Sequence, residues 1–142
     1  MKVRVKRVSS KIELAKAFSI RMHVFVREQG VPEAIEMDRD DERALHFLAY
    51  EGKKATGTAR VVMHHRSAKI GRMAVLKSYR RKGIGKKLLK RAILTARRQG
   101  AENIYLHAQV PVIDFYEAMG FRCIGPVFDE AGISHRKMIL VA

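Results

Sequence analysis

Cysteine is almost absent from the sequence, with Cys123 the only one among 142 residues. The chain therefore cannot form an internal disulfide or a cysteine-rich zinc site, and the mixed apolar stretch FRCIG favours a buried structural thiol over a nucleophile. Long apolar runs are also missing, since none approaches the roughly 18 to 20 residues of a membrane span. The N-terminal MKVRVKRV alternates like a β-strand and does not resemble a signal peptide. We therefore expect a cytoplasmic protein that uses no metal.

Repeats, low-complexity segments and long linkers are absent as well. The length lies near the commonest size of a single domain. Hydrophobic residues make up 47% of the sequence, which is enough for one sizeable core. We therefore expect residues 1–142 to form a single domain.

Acidic residues are scarce, with 14 Asp and Glu against 29 Lys and Arg and a net charge of +15. Ten of the basic residues fall between Lys77 and Arg98, which is enough to neutralise a row of phosphates. A basic nucleic-acid-binding module is therefore one candidate. It is disfavoured because the interleaved aromatic pattern and the recognised motifs of nucleic-acid-binding proteins are missing.

The alternation of apolar and polar residues predicts a chain that mixes strands and helices. Strands are expected at residues 2–8, 44–50, 55–65, 68–77 and 103–109, with a final hairpin of 121–128 and 134–141 that turns through 129–132. Helices are expected at residues 10–28, between 83 and 100, and in a short segment ending FYEAMGF. The strand at 68–77, the helix after it and the strand at 103–109 form a β-α-β unit.

A glycine pair marks the point where strand-like sequence changes to helix-like sequence. Gly83 and Gly85 flank Ile84, so the backbone can turn tightly there and expose its N–H groups. Those groups would lie at the positive end of the following helix, where phosphates are favoured. Because the preceding tripeptide RRK adds formal positive charge, we expect a diphosphate rather than a carboxylate. A plain turn at the start of a helix is the alternative.

Two other phosphate-binding motifs do not fit this loop. A Walker loop needs Lys and then Ser or Thr after its second glycine, but Gly85 is followed by two lysines. A dinucleotide-binding fingerprint needs a third glycine where this chain has Leu88.

The stretch from residue 68 to residue 121 resembles the GNAT N-acetyltransferases. The cofactor motif of that family is Arg or Gln, two residues, Gly, one residue, then Gly or Ala, and Arg80, Gly83 and Gly85 match it. Members often carry an Asn seven residues before a Tyr, with Gly-Phe soon after, and this chain has Gln109, Tyr116, Gly120 and Phe121. The resemblance implies an α/β (α+β) fold with a mixed, mostly antiparallel sheet of about seven strands. Its fourth and fifth strands would be parallel and splayed apart, with helices on both sides.

The resemblance also implies that acetyl-CoA is the co-substrate. The residues that would bind it are Met73, Ala74, Val75, Arg80, Arg81, Lys82, Gly83, Ile84, Gly85, Lys86, Gln109 and Phe115. A backbone N–H from residues 73–75 would stabilise the oxyanion. Tyr116 would lie near the sulfur and protonate or orient the thiolate. Packing of Tyr116 against the sheet is the alternative role.

The group that deprotonates the acceptor amine is harder to identify. Many family members have a Glu in the fourth strand, but this chain reads Ile70, Gly71 and Arg72 there. His107 in the fifth strand is a candidate catalytic base because histidine titrates near neutral pH, although a structural role is an alternative. The other candidates are His46, His135 and water.

The N-terminal half, with its FVREQ segment, resembles a GNAT subgroup of mostly unassigned acetyltransferases. That resemblance implies that Arg21, Phe25 and Glu28 bind the substrate by facing the acceptor or acyl channel; for Phe25 and Val26, helix packing is the alternative. Half of the acidic residues also lie here: Glu28, Glu33, Glu36, Asp38, Asp40, Asp41 and Glu42. They form either an acidic rim that attracts a cationic acceptor or a solvated turn that balances nearby basic charge.

The activity implied by the family is transfer of an acetyl group from acetyl-CoA to a primary amine by direct attack within a ternary complex. The acceptor would be a small molecule or a basic peptide. A CoA-binding regulatory protein without turnover is an alternative, because the carboxylate of the fourth strand is missing. An exposed sheet edge or the last hairpin could pair two copies into a homodimer.

Overall fold

One seven-stranded sheet organises the protein, as seen in a computed structural model that describes residues 2–141. The strands are β1 (Val3–Arg7), β2 (Leu45–Glu51), β3 (Lys54–His64), β4 (Ser67–Val75), β5 (Asn103–Gln109), β6 (Phe121–Glu130) and β7 (Ile133–Leu140). The helices are α1 (Lys11–Arg21), α2 (Glu33–Glu36), α3 (Ile84–Arg98) and α4 (Ile113–Ala118). A π-helical segment (Met22–Glu28) continues α1, and short 3-10 turns span Arg39–Glu42, Lys77–Tyr79 and Val110–Val112.

The strand order is β1-β2-β3-β4-β5-β7-β6, and every neighbouring pair is antiparallel except β4 with β5. This confirms the predicted mixed sheet with a parallel pair in its middle. The final hairpin is also confirmed, although its turn is shorter than expected. Strand β6 continues to Glu130 and β7 begins at Ile133, so the turn consists of Ala131 and Gly132.

Helix α3 covers one face of the sheet because its apolar residues recur with the helical period. Its buried side chains are Ile84, Leu88, Leu89, Ala92 and Ala96, and they pack with buried residues of β2 to β5. The helix approaches β3 very closely at Gly57, where an added Cβ would lie 2.9 Å from Leu88 Cδ1. This packing holds the N-terminus of α3 at the end of β4.

Helix α1 and the π-helical segment after it cover part of the opposite face, where Ala17, Ile20 and Val24 pack with residues of β2 and β4. The single helix predicted for residues 10–28 is α-helical only to Arg21 and then widens into the π-helical segment. Gln29 N–H, for example, donates to the carbonyl of Val24 five residues earlier. π-Helical turns are rare and often lie at functional sites.

The sheet splits between β4 and β5. The two strands pair from Ser67 with Asn103 to Ile70 with Leu106, and no further. On its other side, β4 carries a bulge against β3 near Thr58, and Arg72 has a φ of 48°. Because a bulge bends its strand, the end of β4 turns away from β5. We call the resulting gap between residues 71–75 and 107–109 the cleft.

The helices in residues 2–141 do not include one that is long and apolar enough to cross a membrane.

Candidate active site

The loop of residues 80–86, here called the phosphate loop, lies where β4 leads into α3. Gly83 is the N-cap of α3 with a φ of 81°, a left-handed conformation that glycine adopts without strain. Gly83 lacks a side chain that could cap the helix, so the first N–H groups of α3 have no intrahelical or side-chain acceptor. The ring of Phe115 lies against Gly85, 3.5 Å from where a Cβ would be. The structure therefore brings Phe115 next to the phosphate loop.

Arg80 is held at the phosphate loop by two different partners. Its Nε donates to the carbonyl of Val75 at 2.8 Å, and its two Nη atoms donate to the carboxylate oxygens of Glu28 at 2.6 and 2.7 Å. The hydrogen bonds from Arg80 lower the pKa of Glu28, and the same bonds raise the pKa of Arg80. Arg80 and Glu28, which we predicted to bind cofactor and acceptor respectively, thus form one ion pair.

Gln109 is bound across the cleft by a residue that we did not predict. The side-chain amides of Gln109 and Gln29 hydrogen-bond to each other in both directions, at 2.8 and 3.3 Å. Glu28 and Gln29 therefore connect the end of the π-helical segment to the phosphate loop and to the end of β5. Gln29 is part of the FVREQ segment, so the resemblance of that segment to the GNAT subgroup is the sequence feature that could have pointed to Gln29.

Tyr116 projects from α4 toward β4. Its hydroxyl lies 3.8 Å from the sulfur of Met73, and its ring packs edge-on against Phe115 and Phe121. Burial raises the pKa of Tyr116 to about 12, so the phenol keeps its proton at neutral pH. The structure brings Tyr116 and Met73 together at the side of the cleft formed by β4.

His107 is the first residue of β5 beyond the last pair with β4, so it lies where the cleft begins. Its Nδ1 is 2.9 Å from Oε1 of Glu130, and the ring of Phe128 packs edge-on against it at 5.0 Å. The hydrogen bond from His107 lowers the pKa of Glu130 to about 2. We did not predict Glu130, although it alternates with Phe128 along β6 as a residue of the same face would.

The other two histidines that we considered lie in different surroundings. His135 Nδ1 is 2.7 Å from the carbonyl of Ile133, and its Nε2 is 3.6 Å from Glu130. His46 is buried beside Phe18, with Nε2 3.0 Å from the carbonyl of Asp41. Burial lowers the pKa of His46, which keeps it neutral away from the cleft.

Arg21 is buried and does not line an open surface, although we predicted it to face the substrate. Its side chain is 1% exposed and donates to Glu36 at 2.6 Å and to Asp41 at 2.7 Å. Phe25 is half-buried and packs with the apolar cluster under α1. Phe25 thus packs as a helix residue, which was its alternative role, whereas Arg21 belongs to a buried set of ion pairs.

Arginines take up three carboxylates of the acidic segment. Arg60 binds Asp38 at 2.6 Å and Asp41 at 2.9 Å, while Arg72 binds Glu36 at 3.0 Å and Asp38 at 3.2 Å. With Arg21, these residues form what we call the arginine network: Arg21, Arg60, Arg72, Glu36, Asp38 and Asp41. The balancing of nearby basic charge, which belonged to one of the two interpretations from the sequence, thus applies to these three carboxylates, whereas attraction of a cationic acceptor stays a prediction.

A cavity of about 720 Å³ lies beside the phosphate loop, between α1 and the segment that follows β4. Glu28, Leu76 and Tyr79 are among its lining residues, whereas Tyr116 and His107 do not line it. The cavity therefore borders the ion pair of Glu28 and Arg80 without containing the candidate catalytic groups.

Comparisons with known proteins agree with this architecture. The family described as "Acetyltransferase (GNAT) domain" matches residues 10–142. The chain is 36% identical over 128 residues to the uncharacterized N-acetyltransferase YjcF of Bacillus subtilis, covering 89% of this chain and 91% of YjcF. The structure of Escherichia coli ElaA has a TM-score of 0.88 at 25% identity, covering 99% of this chain and 100% of ElaA. A Bacillus subtilis acetyltransferase solved in complex with CoA has a TM-score of 0.69 at 22% identity, covering 98% of each chain.

Proposed function

The chain belongs to the GNAT acetyltransferase family, and we propose that it transfers an acetyl group from acetyl-CoA to a primary amine by direct attack. The observation that carries this proposal is the cleft between β4 and β5. The N-terminus of α3, which has no capping side chain, lies at one end of the cleft. The phenol of Tyr116 lies beside Met73 at the side of the cleft formed by β4. The complex of a similar fold with CoA supports the same choice of co-substrate.

The phosphate loop would bind the diphosphate of CoA. The free N–H groups at the start of α3 would donate to the phosphate oxygens, and the helix dipole would favour their negative charge. Arg81 and Lys82 add formal charge next to these groups, and the left-handed Gly83 lets the backbone approach closely. Arg80 would either exchange Glu28 for a phosphate oxygen or hold both.

The walls of the cleft would hold the acyl end. Gln109 and the backbone of residues 73–75 face each other across the gap where β4 and β5 no longer pair. A backbone N–H from residues 73–75 would donate to the carbonyl oxygen as negative charge develops on it.

Acetyl-CoA supplies a thioester whose carbonyl carbon is the electrophile. His107 would accept a proton from the acceptor ammonium, because holding a lysine-like amine neutral at pH 7 costs roughly 4 to 5 kcal/mol. The free lone pair on the amine then forms the new C–N bond and the C–S bond breaks. Tyr116 would give its proton to the departing sulfur and then recover one from solvent, and the second amine proton would leave to solvent as the amide forms.

The acceptor is the least constrained part of the proposal. We infer a primary amine on a small molecule or peptide. Three of the seven carboxylates that could have selected a cationic acceptor are paired in the arginine network, and Glu28 and Asp40 are paired with Arg80 and Arg43. A CoA-binding regulatory protein is the second candidate, and Arg72 in place of a carboxylate in β4 is the observation that favours it.

The test is release of free thiol from acetyl-CoA across a panel of amines, amino acids, polyamines and basic peptides. We expect Arg80→Ala to weaken binding of acetyl-CoA and Tyr116→Phe to lower kcat more than affinity. Lys90→Ala, on the exposed side of α3, is the matched control and should change neither. Tight binding without thiol release would support the regulator, and normal binding by Arg80→Ala would overturn the assignment of the phosphate loop.

A further inference from the structure

We propose that Glu130 is a positioning residue for His107: it fixes the imidazole so that Nε2 is the atom that accepts the proton of the acceptor amine. This inference rests on the proposed function and adds a residue to its chemistry. The observation behind it is a hydrogen bond between two strands that are not neighbours. Glu130 ends β6, His107 is in β5, and β7 lies between them, yet Oε1 and Nδ1 are 2.9 Å apart.

The contact identifies which nitrogen of His107 carries the hydrogen. An ionised carboxylate can only accept a hydrogen bond, so Nδ1 must donate to it. In the neutral imidazole, Nε2 then carries a lone pair and no hydrogen. Within residues 2–141, Nε2 of His107 makes no hydrogen bond, so this lone pair remains free to take a proton.

Aromatic neighbours also fix the orientation of the His107 ring. Phe128 packs edge-on against His107 at 5.0 Å, and Tyr105 lies at 6.1 Å from it on the same strand. Glu130 and Phe128 are two residues apart on β6, so they reach the same face of the sheet. One short strand segment thus supplies both the hydrogen-bond acceptor and the aromatic wall.

His135 does not share Glu130 in the same way. Its own Nδ1 donates to the carbonyl of Ile133 at 2.7 Å, which leaves Nε2 of a neutral His135 without a hydrogen. That atom is 3.6 Å from Glu130 Oε2, outside hydrogen-bonding distance. The hydrogen bond of Glu130 is therefore with His107, while His135 lies only at ion-pair distance.

The surrounding charges make the carboxylate important. Lys69 on β4 lies near Glu130, and Lys137 on β7 is paired with His107 in the strand register, with its Nζ 4.8 Å from the ring of Tyr105. A carboxylate beside Nδ1 stabilises the imidazolium that forms when Nε2 takes the proton. The proton later leaves Nε2 for solvent, and Glu130 stays ionised throughout.

The experiment compares four variants of the full chain: Glu130→Gln, Glu130→Ala, His107→Ala and the double variant of His107→Ala with Glu130→Ala. Gln keeps an acceptor for Nδ1–H but removes the charge, whereas Ala removes both. We expect kcat to fall about 10-fold in Glu130→Gln and on the order of 100-fold in Glu130→Ala, by analogy with partners that orient metal-binding histidines. The KM for acetyl-CoA should stay unchanged, and Glu130→Ala should add no further loss to His107→Ala. Asp129→Asn, an exposed neighbour on β6, is the matched control and should behave like the wild type.

Nitrogen-15 NMR of the labelled protein gives a readout that does not depend on turnover. We expect neutral His107 to carry its hydrogen on Nδ1 in the wild type and to become a mixture of tautomers in Glu130→Ala. A hydrogen on Nε2 in the wild type would overturn the proposal, as would equal losses from Glu130→Ala with and without His107. If no amine in the panel releases thiol, the proposed function fails while the NMR result still decides whether Glu130 sets the tautomer.

Discussion

Two sets of ion pairs join the segment around the end of α1 to the sheet, and they differ in burial. In the arginine network, the side chains of Arg21 and Asp41 are 1% and 7% exposed. At the phosphate loop, Arg80 and Glu28 are each 35% exposed, although their atoms are just as close. Similar distances therefore occur in two very different environments.

Burial decides what each set can do. Removing one partner of a buried pair leaves a charge with less compensation in the interior, so the buried pairs of Arg21 with Glu36 and Asp41 suit a structural role. An exposed pair contributes little because water competes for both groups. Arg80 can therefore release Glu28 for another anion at small cost, as its proposed role in binding a phosphate would require.

The largest expected effect is the loss of a carboxylate from the buried set. Asp41→Asn should lower the free energy of unfolding by about 3 kcal/mol, because Arg21 and Arg60 would each lose one of two carboxylate partners, keeping Glu36 and Asp38 respectively. Asp40→Asn is the matched control, since the half-exposed Asp40 has its ion pair within residues 2–141 with Arg43, and it should cost about 0 to 1 kcal/mol. Urea unfolding measures both. An equal decrease in the free energy of unfolding of the two variants would show that burial does not determine how much an ion pair of this segment stabilises the fold.

A smaller effect is expected from acid. Burial opposes ionisation of Asp41, but hydrogen bonds from Arg21 and from the N–H of Asp38 outweigh it and lower its pKa from 3.8 to about 2. The contribution of a group with a lowered pKa is present above the unfolded value and is lost as the pH falls toward the folded value. We expect stability to fall between about pH 4 and pH 2, with Asp41 adding at most about 1.4 kcal/mol per pH unit to the slope.

Unfolding free energies measured at a series of pH values test this. The slope between about pH 4 and pH 2 should be shallower in Asp41→Asn than in the wild type, because the variant lacks the titrating group. Identical slopes would mean that the pKa of Asp41 is the same in the folded and in the unfolded chain.

The sequence predicted the parts of the molecule that depend on local patterns. The period of α3 and the glycines before it predicted the helix, the turn at its N-terminus and the end of β4, because each pattern involves residues within one or two turns. The ion pairs did not follow from such patterns. Arg21 and Asp41 are 20 residues apart, and Arg80 and Glu28 are 52 apart, so their partners depend on how the elements pack. The acidic cluster was visible in the sequence, but which arginine each carboxylate binds was not.

The same reason explains the catalytic candidates. Tyr116 could be found from its spacing to Gln109, since both lie within one β-strand and the following helix. Glu130 could not be found in this way, because it contacts His107 across β7 and the two residues share no short sequence motif.

The smallest expected effect concerns the exposed pair, where the change should improve binding. Glu28→Gln removes the anion that Arg80 holds in the absence of CoA, so a phosphate no longer has to displace a carboxylate. An exposed pair is worth about 0 to 1 kcal/mol, so we expect acetyl-CoA to bind up to about 5-fold more tightly, as measured by calorimetry. The free energy of unfolding should change by less than about 1 kcal/mol.

Two comparisons make this result specific to the pair. Glu33→Gln, which removes an exposed acid that forms no ion pair within residues 2–141, should leave the affinity nearly unchanged. Raising the salt concentration should reduce the difference between Glu28→Gln and the wild type, because salt screens exposed charges. Weaker binding by Glu28→Gln would reverse the interpretation: Glu28 would then hold Arg80 in place for the phosphate. In that case the exposed pair would resemble the arginine network in function, and the 35% exposure of its side chains would not make them exchangeable.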